Sequence, residues 1–178
     1  MRRAVIAYKF HGRQDLAEPL GEMLYQRFLN EFARPHRLDF DHVDAIVPTV
    51  LHPERRRWRG YDQAVLLAAE LAKRTGKPLW DDVLERVKHT RPLVNMGPQD
   101  RAREMEGAFC AQKTWKLKGT SLLLVDDVCT TGATLSAAAQ ALKQGGATTV
   151  YGLTLTRAAP GWHPKHAESL QRDDPDHL

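Results

Sequence analysis

The chain has little that would staple, anchor or repeat it. Two cysteines, Cys110 and Cys129, stand in 178 residues. That is too few for a four-thiolate zinc site or a disulfide framework, so both are expected to be reduced and no zinc is expected in this chain. No apolar run is long enough to span a bilayer, and the stretch before Lys9 is too short for a signal-peptide core. No membrane insertion and a cytoplasmic location are therefore expected. There is no internal repeat, no G-x-G-x-x-G and no G-x-x-x-x-G-K-[ST], which removes the two commonest glycine-loop nucleotide motifs.

What is present is the composition of an ordinary globular domain, 42% hydrophobic and 27% charged. One domain is expected over residues 1–157, followed by a mobile tail over residues 158–178 that is poor in apolar side chains. The formal net charge is +4. In the tail Lys165 and Arg172 are outnumbered by Glu168, Asp173, Asp174 and Asp176, so the positive charge belongs to the body and favours anionic ligands.

Apolar periodicity sets out the elements. Leu20, Leu24 and Phe28 recur every four residues from Leu16 and predict a helix that ends before Pro35. Val43–Val47 is a strand candidate halted by Pro48, and Pro48–Gly60 reads as a loop. A second helix is expected over Asp62–Arg74 with Ala64, Leu67, Ala68 and Leu71 inward. Val83-Leu84 is a short strand, and Lys88–Arg103, with Pro92, Gly97 and Pro98, reads as a long loop of the kind that usually carries function. The continuous apolar run Ser121–Val125 predicts a strand covered on both faces. A helix over Ala133–Gln144, a Gly145-Gly146 stop and a strand over Thr149–Leu155 complete a βαβ unit. Together these give an α/β fold, a doubly wound parallel sheet.

Ligands of such sheets sit beyond the carboxyl ends of the strands. There the sequence reads Asp126-Asp127-Val128-Cys129-Thr130-Thr131-Gly132-Ala133-Thr134. Paired carboxylates suit vicinal ribose hydroxyls and a hydrated Mg²⁺. Gly132 admits close backbone approach, the threonines bring hydroxyls, and the helix start adds free N–H groups for a phosphate. The alternative for the acid pair is a helix N-cap; for Cys129 it is a reactive thiol, and for His11, His52 and His89 plain turn or hydrogen-bonding roles. His163 and His166 have poor metal-ligand spacing.

Leu122–Thr134, LLLVDDVCTTGAT, resembles the phosphoribosyl pyrophosphate (PRPP) signature of phosphoribosyltransferases. Ile46–Ala72, Arg86–Thr90 with Glu106–Phe109, and Ala7–Arg13 are similar, in that order, to segments of the ComF-type, competence-associated members. The resemblance implies a type I phosphoribosyltransferase fold with a flexible hood, PRPP as substrate or ligand, and magnesium held through water by Asp126 and Asp127. It implies 5′-phosphate contacts from Val128, Cys129, Thr130, Thr131, Gly132, Ala133 and Thr134, and a pyrophosphate loop of Pro48, Thr49, Val50, Leu51 and His52. Arg86 and Lys88–Arg103 would form the hood, with Arg101 neutralising the departing pyrophosphate, so that Asp126, Asp127, Arg86 and Arg101 are the catalytic set. Asp62, Leu93 and Glu104 replace residues usual in the family, which also carries an amino-terminal zinc ribbon.

The implied activity is displacement of pyrophosphate at ribose C1 in a cytoplasmic protein associated with DNA uptake. Its alternatives are a PRPP sensor or single-stranded-DNA binder without turnover, and a nucleobase salvage transferase. Single-stranded DNA and other competence proteins are the expected partners, and a homodimer stays open. The nucleic-acid candidates are Arg55, Arg56, Arg57, Trp58, Arg59 and Tyr61, basic residues interleaved with stacking platforms.

Overall fold

A strand that must be apolar on both sides needs cover on both sides, and alternation along the central strands shows that cover. In the computed structural model, which describes residues 2–32, 40–91 and 96–157 (for Arg2 and Phe32 the backbone alone), Leu123 and Val125 join one core cluster while Leu122 and Leu124 join another. Ala45 and Val47 likewise face one cluster and Ile46 the other. The continuous apolar run is thus a strand with two buried faces.

In chain order the elements are α1 (Arg2–Phe10), α2 (Ala17–Phe32), β1 (Ala45–Pro48), α3 (Pro53–Arg59), α4 (Gln63–Thr75), β2 (Leu84–Arg86), α5 (Pro98–Met105), β3 (Phe109–Ala111), α6 (Thr114–Leu117), β4 (Ser121–Cys129), α7 (Ala133–Gln144) and β5 (Thr149–Arg157). The main sheet is parallel, in the order β1-β4-β5, and Leu79 extends it by a parallel bridge to Ile46. Helices α1, α2 and α4 cover one face; α5, α6, α7 and the antiparallel pair β2-β3 cover the other. This is the doubly wound parallel arrangement expected. Among the described residues no helix is long and apolar enough to cross a membrane.

Several expectations need correction. The loop expected over Pro48–Gly60 contains helix α3: Pro53 starts it, His52 caps it by accepting from the Glu54 N–H, and Gly60 ends it in the left-handed conformation. The loop expected over Lys88–Arg103 is helical from Pro98, where Pro again occupies the first turn. Strand β4 runs four residues past Val125, because pairing with β5 continues through Cys129 and Arg157. Asp126 and Asp127 are therefore strand residues, and the N-cap alternative is excluded. The sequence pattern predicts no element for α1, β3 or α6. Pro35, Leu93 and the tail over residues 158–178, with His163 and His166, lie outside the described residues.

Helices α2 and α4 cross at Gly21, where an added β-carbon would collide with the Glu70 β-carbon. We expect Gly21→Ala to destabilise the protein by on the order of 1–3 kcal/mol in urea unfolding, because overpacking outweighs the gain in helix propensity. An unchanged midpoint would contradict this packing.

Candidate functional site

The site opens where β1 leaves the sheet and β4 does not. Pro48 pairs with Val125, the last register position the two strands share. β1 then turns into residues 49–52 while β4 continues against β5, Asp126 opposite Thr154. The departing loop stays tied to the sheet: the Thr49 N–H donates to the Val125 carbonyl (2.8 Å), and the Thr49 hydroxyl bonds the Asp126 carboxylate.

Strand geometry sends the two acids to opposite faces. Asp127 shares a side with Leu123 and Val125, toward α1 and α4, and is buried. There Lys9 at the end of α1 meets it, Nζ to Oδ1 2.9 Å. Asp126 faces α7 and is half-buried; its Oδ1 accepts the Asp127 N–H at 2.9 Å. Burial, then the Asp127 carboxylate, pushes the Asp126 pKa up to about 7, against the pull of Lys9, Thr49 and the Asp127 amide. Two oxygen-donor acids that repel each other, one of them paired to a lysine, are the donor type a hard divalent cation held through water would use.

Asp126 also lines a niche with Val128, Cys129, Thr130, Thr131, Gly132, Ala133, Thr134 and Leu135. Gly132, at φ +83°, makes the left-handed turn into α7. The N-cap residue Gly132 has no side chain to offer, and a long contact from the Ala133 N–H to Thr131 Oγ1 (3.4 Å) meets the helix start, so the positive end of the helix dipole lies at the niche. All seven phosphate-loop residues expected from sequence, and Asp126, are brought together here.

The pyrophosphate-loop candidates Pro48, Thr49, Val50, Leu51 and His52 lie alongside. Asp62 holds them: one carboxylate oxygen accepts the Leu51 N–H (2.7 Å), and the other accepts from Ala64 (3.1 Å) and Val65 (3.4 Å) to cap α4. Burial raises the pKa of this carboxyl and the three backbone donors lower it.

Arg86 and Arg101 sit elsewhere. Arg86 is buried at the end of β2, bonded to the Thr90 hydroxyl and lying 5.6 Å over Phe109. It lines a cleft of about 540 Å³ with Leu51, Arg56, Arg57 and Asp81. Arg101 is on α5. At the base of this region Glu104 accepts from Arg91 N (2.9 Å) and Nη2 (3.1 Å), while Lys88 Nζ donates to its carbonyl (2.8 Å).

The six nucleic-acid candidates divide. Tyr61 is a core residue whose hydroxyl bonds the Tyr8 carbonyl. Arg59 turns inward, donating to Gln63 Oε1 (2.8 Å) and lying 5.5 Å over Phe10. Its Nε is buried without a hydrogen-bond partner, and Asp127 is the charge that most offsets the lowering of its pKa by burial. Arg55 donates to the Thr90 carbonyl (2.9 Å). Arg56, Arg57 and Trp58 remain as an exposed group on α3.

Sequence reasoning gave no role to Lys9, Asp62 or Arg59 at the acid pair. The Val5–Tyr8 spacing was the available signal for α1, and Asp before Gln63-Ala64-Val65 was the signal for a cap.

Comparison with known proteins bears on the family and the fold. Residues 62–174 match the family model of the phosphoribosyl transferase domain. The chain is 31% identical over 152 residues to competence protein F of Haemophilus influenzae, covering 85% of this chain and 65% of that one. It is 32% identical over 142 residues to the DNA utilization protein YhgH of Salmonella typhimurium (80% and 60%), and 26% identical over 165 residues to competence protein ComFC of Bacillus subtilis (89% and 60%). The chain thus spans 60–65% of the length of these relatives. Among solved structures, the glutamine PRPP amidotransferase of B. subtilis shares the fold with TM-score 0.52 at 18% identity, over 85% of this chain and 30% of that one.

An acid whose folded-state pKa is raised supports the fold at low pH, and that support is lost as pH climbs from the ordinary Asp range toward about 7. We therefore expect Asp126→Asn to gain stability relative to wild type between about pH 4 and pH 8, by on the order of 1–3 kcal/mol at the upper end. Urea unfolding across that range checks it; a difference that does not grow with pH would count against the strained pair.

Proposed function

The chain belongs to the phosphoribosyl transferase domain family, and we propose on that premise that it binds PRPP across the β4–α7 junction and displaces its pyrophosphate at ribose C1. The observation that carries the reading is the glycine-led start of α7 beside two adjacent acids, an anion site and a diol site in one short segment.

Each residue then has a task. The N–H groups and hydroxyls of Thr130 to Thr134 hold the 5′-phosphate. Asp126 and Asp127 accept hydrogen bonds from the ribose hydroxyls. The Pro48–His52 loop, positioned by Asp62, receives the pyrophosphate end. Lys9 holds the Asp127 side chain in place through the ion pair, and Arg59 adds a fixed positive charge near it. Magnesium, when bound, supplies charge neutralisation for the pyrophosphate next to the acid pair. As pyrophosphate departs, C1 gains oxocarbenium character, so preorganised charge and exclusion of water provide the rate. Arg86 and Arg101 are the candidates for positive charge on the departing pyrophosphate.

A role in handling single-stranded DNA is favoured by one observation, the exposed group Arg56, Arg57 and Trp58 on α3, and by the competence and DNA-utilization names of the relatives. Cations beside an aromatic platform suit a flexible strand with unstacked bases.

Titration calorimetry with PRPP and magnesium should show one site per chain, and Asp126→Ala or Asp127→Ala should weaken it by about tenfold or more, the loss of one or two charge-assisted hydrogen bonds. A pyrophosphate-release assay with candidate acceptors then separates turnover from binding. Binding that both variants leave intact overturns the reading. For DNA, Arg56→Ala with Arg57→Ala should weaken single-strand binding and flatten its log–log salt dependence by about 0.7 for each phosphate no longer neutralised; an unaltered slope removes α3 from the interface.

A further inference from the structure

We propose that His52, Glu54 and His89 form a binding site for a divalent transition-metal cation of the zinc or nickel class, separate from the acid pair. One ring nitrogen from each histidine and one carboxylate oxygen lie within 4.8 Å of one another. Glu54 Oε2 is 3.2 Å from His89 Nδ1 and 4.0 Å from His52 Nδ1. The imidazoles stack with centroids 4.9 Å apart and planes 24° from parallel.

Those separations bear on the ion. Donors at about 2.0–2.1 Å from a tetrahedral metal stand about 3.3–3.4 Å from one another. The 3.2 and 4.0 Å from Glu54 Oε2 to the two histidines bracket that value, and the stacked rings must turn so that both in-plane lone pairs converge on the ion. Two imidazoles and one carboxylate select a borderline ion over Mg²⁺, which prefers oxygen. The Glu54 N–H reaches His52 Nδ1 at 3.4 Å, a long bond that metal ligation would replace. Three protein donors leave a coordination position for water.

The location gives the site a consequence. His52 and Glu54 lie at the start of α3, while His89 follows β2 in the segment that leads toward α5. Arg55 already joins these two segments through the Thr90 carbonyl. A bound ion would fasten the same junction beside the residue 48–52 loop. The site stands on this cluster alone, so the fate of PRPP binding does not decide it.

The test uses the full chain without an affinity tag, titrated with Zn²⁺ and Ni²⁺ by calorimetry, with Co²⁺ absorption as a second readout. We expect one ion per chain, a Co²⁺ spectrum with nitrogen ligation, and no displacement by equimolar Mg²⁺. His89→Gln and Glu54→Gln should each weaken binding by roughly tenfold or more, while His163→Gln with His166→Gln should leave it unchanged. If His89→Gln loses its circular-dichroism signature, Glu54→Gln decides. Absence of saturable binding overturns the proposal, as does binding that survives the Glu54 and His89 substitutions or binding removed by the tail substitutions.

Discussion

Two carboxylates on adjacent residues of one strand repel each other, and much of the surrounding structure answers that repulsion. Asp127 is buried and finds Lys9; Asp126 is half-buried and is left near neutral, its pKa pushed up to about 7. Without a ligand the arrangement costs stability. The proposed ligand, a magnesium-bound diphosphate sugar, would bring hydroxyl donors and positive charge to the same place and so relieve that repulsion.

The scaffold keeps those charges from relaxing apart. Pairing of β4 to β5 at Asp126 and Val128 fixes the backbone on both sides of Asp127. On the other side, Thr49 closes against Val125 and Asp126, and Asp62 draws Leu51 toward the start of α4. Helix α1 is anchored by Tyr8, whose hydroxyl donates to the Gln63 carbonyl at 3.0 Å and whose own carbonyl receives the Tyr61 hydroxyl. That double tie places Lys9 and Phe10, and through Phe10 the Arg59 guanidinium. Helices α1 and α3, distant from one another in sequence, therefore each bring a cation toward one carboxylate.

The sheet and the turn into α7 were legible because they rest on local signals. Ser121–Val125 reads as a two-faced strand, and Thr130–Gly132 before Ala133–Gln144 reads as a glycine turn into a helix. Arg55–Arg59 was not legible as a helix because its charge hides any apolar face, and only Pro53 and Gly60 mark its ends. The extension of β4 past Val125 depends on β5, a partner that lies beyond the whole of α7 in the chain. The inward turn of Arg59 and Tyr61 depends on Phe10 and Tyr8, contacts that no local pattern encodes. The His52–Glu54–His89 cluster is likewise a product of the fold: α3 and the segment after β2 meet only in space.

The central claim is that a sugar phosphate docks between the acid pair and the mouth of α7. Amide chemical-shift mapping of the labelled protein with magnesium–PRPP tests it most directly. The account predicts the largest shifts at the Asp127 amide and at the amides of Thr130 to Thr134, with ribose 5-phosphate alone reproducing the latter group. Shifts confined to α3 and the cleft beneath it, with residues 126–134 unmoved at saturation, would contradict it.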